Sequence, residues 1–199
     1  MRALVTGGAK RLGREISVYL ASRGYDVAVH YNSSENEALD VAKEINSQGR
    51  LSECLKCDLL IEDQVKALVP LASEALGGPI SMLVNNASIF EHDSFDDATR
   101  ASWDRHMESN LRAPFVLTQA FSKQSPSPIL DKKNEPISQG LVLNMIDQRV
   151  KKLTPDFASY TIAKMGLWAM TQTAARALSL IHISEPTRLR RISYAVFCL

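Results

Sequence analysis

The sequence predicts an α/β fold in which a doubly wound parallel sheet carries helices on both faces. Three observations lead there. Short apolar runs alternate with helical patterns from residue 1 to residue 177, the mark of βαβ units with right-handed crossovers. The first run is followed at once by a glycine-bearing turn, Thr6-Gly7-Gly8-Ala9-Lys10-Arg11-Leu12-Gly13, and then by a helix. The chain has 199 residues, 45% hydrophobic and 23% charged, which suits one domain with a sizeable core.

Residues 3–6 read as a strand and 12–22 as a helix whose apolar stripe runs through Ile16, Tyr19 and Leu20. Residues 25–31 (YDVAVHY) form the next strand and 35–48 the next helix. A third strand over 51–57 leads to a helix from 62 to about 76. A fourth strand over 80–85 (ISMLVN) precedes one long helix over 103–123, and a fifth over 140–146 (GLVLNMI) precedes another over 160–177. Residues 122–139 are rich in Ser, Pro, Lys and Asn and read as a surface loop. Trp103 and Trp168 read as packing residues on helix faces.

A net charge of +1 with scattered basic residues gives no electrostatic reason to expect nucleic acid or a membrane surface as partner. No apolar stretch approaches the ~18 residues of a membrane span, and residues 3–5 already belong to a strand rather than to a signal peptide. The expectation is a cytoplasmic protein acting on a small molecule. Cys54 and Cys57 form a C-x-x-C without a second Cys or His pair nearby, so neither a metal site nor a disulfide framework is expected.

The glycine turn lets backbone approach a pyrophosphate at a helix N-terminus, and Gly7 and Gly13 fit that part. At the end of the second strand, Tyr31-Asn32-Ser33-Ser34 brings hydroxyls and no carboxylate before Glu35. An acid there would accept from the ribose hydroxyls of NAD. Hydroxyls with Arg11 suit a 2′-phosphate instead, so NADP(H) is favoured over NAD(H). Tyr160 and Lys164 stand four apart, on one face of a helix. A nearby ammonium is expected to lower the phenol pKa from ~10 and make it a general acid or base.

Together these motifs resemble the short-chain dehydrogenase/reductase family over residues 1–177, which implies a Rossmann-type domain there. Arg11 stands where the family's loop has its middle glycine, and Ser88 in Asn85-Asn86-Ala87-Ser88 where it has its last. Both departures resemble the pteridine reductase branch. The resemblance implies that Asp58 and Leu59 bind the adenine end, with a turn or helix-capping part the plain alternative for Asp58. It implies cofactor contacts for Leu12, Asn86, Ala87, Ser88 and Lys164, and a structural and proton-relay part for Asn110. Asp147 stands thirteen residues before Tyr160, where the family has a serine. In the pteridine reductase branch an aspartate there partners the tyrosine and faces substrate with Ser88, and Phe90 stacks on the pterin; a core or lid Phe is the plain alternative.

The implied reaction is hydride transfer from NADPH to a C=N or C=O bond, with a dihydropterin or dihydrofolate as substrate. The alternative within the family is a carbonyl or 3-oxoacyl thioester reductase. Residues 178–199 depart from the pattern. LSLIHISEPTR and the closing ISYAVFCL resemble the two flanks of a translated transposase-type sequencing adapter, so this stretch is expected to be non-native. The domain would then stop after the Tyr–Lys helix, without the family's later strands and closing loop. That leaves a third reading, an inactive fragment that at most binds cofactor, with a sheet edge exposed. The resemblance also places a homodimer or tetramer interface on the helices over 103–123 and 160–177.

Overall fold

A computed structural model describes residues 1–125, 129–181 and 196–198. The strands are β1 (Arg2–Val5), β2 (Asp26–Tyr31), β3 (Ser52–Lys56), β4 (Met82–Asn85), β5 (Ile129–Leu130), β6 (Pro136–Ile137), β7 (Leu141–Ile146) and β8 (Val196–Cys198). The helices are α1 (Arg11–Ser22), α2 (Glu35–Ser47), α3 (Glu62–Ala75), α4 (Arg100–Met107), α5 (Ala113–Gln124) and α6 (Ala158–Ile181). The parallel sheet runs β3-β2-β1-β4-β7-β8. Strand order reverses between β1 and β4, and ligands of such sheets lie in the crevice beyond the carboxyl ends at that point.

Alternation along the central strands sorts the core into two halves. Leu4, Ala28 and Leu83 face α3 and α5. Ala3, Val5, Val27, Val29 and Val84 face α1 and α2. Both faces of the sheet are therefore covered, as a parallel sheet requires. No helix among the described residues is long and apolar enough to cross a membrane.

Four expectations need correction. The single helix over 103–123 is α4, a π-helical segment Glu108–Arg112, and α5. Pro114 lies in the first turn of α5 and has no N–H for the carbonyl four residues back, so regular α geometry cannot run through it. The loop over 122–139 contains the antiparallel pair β5–β6. α6 continues to Ile181, and β8 pairs in parallel with Asn144–Ile146, so the second half of this edge of β7 is covered rather than open. Trp103 is 38% exposed and is no core residue, whereas Trp168 packs beside Ile146, Val150 and Leu167.

Candidate active site

The crevice has a backbone wall and a side-chain wall. On the first, Gly7 has φ +61 and a Cβ there would meet Ala87 at 3.1 Å. A Cβ on Gly13 would overlap the Gly7 carbonyl oxygen and lie 2.6 Å from Asn86 Nδ2. The turn is thus closed tightly on α1 and on the loop after β4, leaving bare backbone at a helix N-terminus. That cradle fits a pyrophosphate. Arg11 also has positive φ, 49°, which explains why glycine is the natural occupant of its position and what an arginine there costs: about 1 kcal/mol of backbone strain.

Buried polar groups hold this wall. Thr6 Oγ1 donates to the Val84 carbonyl at 3.2 Å and accepts the N–H groups of Asn86 and Ala87, each at 3.0 Å. Asn86 Nδ2 donates to the carbonyls of Thr6 (2.9 Å) and Gly7 (3.2 Å), so its amide supports the loop. His30 Nδ1 accepts the Gly7 N–H at 2.9 Å, and Nε2, which therefore bears the proton, donates to the Cys57 carbonyl at 3.0 Å. Burial pushes the His30 pKa down to about 4 and keeps the ring neutral.

At the adenine end, Asp58 accepts the Leu60 N–H at 3.0 Å in an Asx turn, and the Leu59 side chain lies in the core. Asn32 and Ser33 are exposed after the buried Tyr31, with Ser34 half-buried. Lys10 is engaged by Glu37 at 2.7 Å. Arg11 is exposed on the same rim, next to Leu12, which is 41% exposed. Cys57 is buried, and burial pushes its thiol up to about 11, so the cysteine pair has the character of packing residues.

The second wall begins where β7 ends. Asp147 caps a single 3₁₀ turn, Gln148–Val150, by accepting the Arg149 N–H at 2.8 Å. Its other oxygen accepts from the Tyr160 hydroxyl at 3.1 Å. One turn on, Lys164 Nζ donates to the Met145 carbonyl at 2.9 Å. Tyr160 and Lys164 are 5% and 4% exposed. Here the expectation of a lowered phenol pKa is corrected: burial, then the charge of Asp147 and its hydrogen bond, push Tyr160 up. Burial pulls Lys164 down to about 8 against the opposing charge of Asp147, and its nitrogen sits 5.7 Å from the Tyr160 ring centroid. Tyr160 therefore holds its proton at neutral pH, the state a proton donor needs.

Asn110 sits fully buried in the π-helical segment and is bonded to the loop after β4. Its Oδ1 accepts the Ile89 N–H at 2.8 Å and the Ser88 hydroxyl at 3.3 Å, and its Nδ2 donates to the Ile89 carbonyl at 2.8 Å. Ser88 is thereby presented towards Tyr160, whose pKa it pulls down by hydrogen bonding. Phe90 is 51% exposed. Its ring stacks on Phe157 at 4.3 Å and meets the edge of Tyr160 at 4.8 Å.

Five further residues escaped the sequence reading. Arg149 lies 5.2 Å from the Phe90 centroid and 4.7 Å from that of Phe157. Phe157 holds φ +59, fixed by its N–H to the Asp93 carbonyl at 2.7 Å. Asp93, His106 and Ser159 form a fully buried chain. The Glu91 N–H donates to His106 Nε2 at 3.2 Å, His106 Nδ1 bonds Ser159 Oγ at 2.7 Å, and Ser159 Oγ donates to Asp93. With its hydroxyl spent on Asp93 and no exposure, Ser159 is no nucleophile. The chain fastens the loop after β4 to the first turn of α6, which carries Tyr160. Sequence separations of 53 to 66 residues left no local signal for it.

A family model described as short chain dehydrogenase matches residues 1–184. The chain belongs to that family. It is accordingly an oxidoreductase of the short-chain dehydrogenase type, and the matched span includes the Gly7–Gly13 turn, Tyr160 and Lys164. Among solved structures it is similar to FolM alternative dihydrofolate reductase 1 from Brucella suis in complex with NADP, at 42% identity and TM-score 0.81, over 90% of this chain and 70% of that one. A short chain dehydrogenase from Burkholderia cenocepacia J2315 in complex with NADP is 31% identical, TM-score 0.82, over 92% and 70%. Among curated relatives, the 3-oxoacyl-[acyl-carrier-protein] reductase FabG of Staphylococcus epidermidis is 30% identical over 177 residues, 89% of this chain and 68% of the relative.

Proposed function

We propose that this chain is built as an NADPH-dependent reductase of a dihydropterin or dihydrofolate, delivering hydride to a C=N bond. The observation that carries the reading is the Asp147 carboxylate bonded to the Tyr160 hydroxyl beside the exposed ring of Phe90. Identity of 42% to an alternative dihydrofolate reductase crystallised with NADP supports both substrate class and cofactor. The Gly7–Gly13 turn with Ala87 would hold the pyrophosphate, Asp58 the adenine, Arg11, Asn32 and Ser33 the 2′-phosphate, and Lys164 the nicotinamide ribose. Bound there, the cofactor supplies the hydride.

The chain's own part is the proton and the orientation. Tyr160 keeps its proton at neutral pH, and a rotation of its hydroxyl turns it from Asp147 towards a ring nitrogen. Asp147 is acceptor-only when ionised, so it suits the amino and ring N–H groups of a pterin. Asn110 holds Ser88 at the same place. Steady-state assays of a dihydropterin against an acetoacetyl thioester, each with NADPH and NADH, test the reading. Turnover of the dihydropterin with NADPH at least tenfold above NADH is expected, and turnover of the thioester alone would refute it. The likeness to FabG is what favours the thioester alternative.

Two further readings belong to the same proposal. An apolar groove of about 700 Å³ between the α4–α5 region and α6, lined by Leu111, Phe115, Met170 and Ala174, supports a homodimer, to be checked by light scattering. The stretch 178–199 is non-native in this reading, and sequencing an independent clone across the 177–178 junction decides it. If the chain oxidises no NADPH with either substrate while still binding NADP⁺, the fragment reading holds instead.

A further inference from the structure

Arg149 stands two residues beyond Asp147, on the 3₁₀ turn that leaves β7, and no motif pointed to it. Its side chain is 19% exposed and one guanidinium nitrogen lies 3.6 Å from Asp147 Oδ1, too far for a hydrogen bond. Its Nε is buried without a hydrogen-bond partner. A buried donor left unmet is costly, and each such group in a native fold calls for an explanation. The guanidinium is also held between the Phe90 and Phe157 rings and the carboxylate, which fixes it against the same surface on which a flat substrate would stack.

Asp147 and Arg149 therefore present an acceptor-only group beside a donor-only group. The complementary partner has a donor and an acceptor side by side, as in the N–H and C=O of a lactam edge. We infer that Arg149 reads the ring oxygen of a flat, conjugated lactam stacked at Phe90, while Asp147 takes the adjacent N–H. This rests on the pterin reading and narrows it, because the pyrimidinone half of a pterin carries that edge. A carboxylate on a substrate tail offers the same oxygen chemistry. The depth of Arg149, against Asp147 and Phe90 rather than on the outer rim, favours the ring.

The test compares two probes that differ along the lactam edge. Pterin carries the oxygen and the adjacent N–H, and 2,4-diaminopteridine carries an amino group beside a bare ring nitrogen, so only the response to a change at Arg149 is compared between them. Dissociation constants are measured by calorimetry on the NADP⁺ complex of the whole chain. R149M is expected to weaken pterin by roughly tenfold or more while diaminopteridine stays within about threefold and NADP⁺ affinity holds. R149K, which keeps charge but not the fork, shows the same ordering to a smaller degree and serves if R149M does not fold. An equal loss for both probes, or no loss for either, overturns the inference and leaves the pterin reading intact. Loss confined to a tail-bearing ligand such as folate, with pterin unchanged, assigns Arg149 to the tail and also overturns it. Failure of the unaltered chain to bind either probe removes the pterin reading itself, and this inference with it.

Discussion

The two walls of the crevice are made of different material. The wall after β1 is backbone, closed by Gly7 and Gly13 and locked by Thr6, His30 and Asn86, which direct their polar atoms into the loop itself. The wall after β7 is side chain: Asp147, Tyr160, Arg149, Phe90 and Phe157. It keeps an unmet donor at Arg149 and a left-handed aromatic at Phe157. In the proposed reading the satisfied backbone wall meets what every dinucleotide has in common. The wall with an unmet donor is then where one substrate is chosen over another.

Substitutions that cross between the walls sharpen that division. The largest effect is expected from G13A, since a methyl would overlap the Gly7 carbonyl oxygen. Loss of about 3 kcal/mol or more of stability is expected together with NADP⁺ binding, read by thermal unfolding and calorimetry. Y160F should lower kcat by roughly 10²–10⁴ and leave NADP⁺ affinity within about twofold. A comparable loss of cofactor affinity would break the separation of the walls.

His30 gives the first wall a pH dependence. Its folded pKa is held down to about 4 from 6.5, so between those values the unfolded chain binds the proton that the folded chain refuses. Stability contributed by the neutral ring is present above pH 6.5 and is lost as pH falls towards 4. At about 1.36 kcal/mol per unit the total is about 3 kcal/mol. Urea midpoints at pH 7 and pH 5 should show the fall, and H30Q should flatten it. The smallest change is expected from R11G, where relief of the positive φ offsets the greater freedom of glycine to within about 1 kcal/mol. Its signature is a weakened preference for NADPH over NADH.

How much of this could be seen in the sequence follows from the same division. β1 to α3 were found almost residue for residue, because short apolar runs and helical stripes are local patterns. The glycine turn and the Tyr160–Lys164 pair are fixed by spacing alone. The π-helical segment was missed because its cause, Pro114 behind Asn110, reads as an ordinary first-turn proline. Arg149, Phe157 and the Asp93–Ser159–His106 chain were invisible because they join segments far apart in sequence. The direction of the Tyr160 shift was misjudged for a related reason: the pair spacing announced the ammonium, whereas the shift follows burial and the Asp147 carboxylate, which lie outside the pair.

Asp147 also supports both pKa values at the second wall, since its charge raises Tyr160 and Lys164 alike. If the Lys164 ammonium is needed for turnover, an alkaline limb is expected near pH 8, and D147N should move it to lower pH.

The most direct measurement is the ratio of dihydropterin to acetoacetyl-thioester turnover, with NADPH, in the unaltered chain and in D147S. A fall in that ratio by about a hundredfold, with NADP⁺ affinity unchanged, is the expected result. An unchanged ratio would contradict the assignment of Asp147 as the residue that selects the substrate.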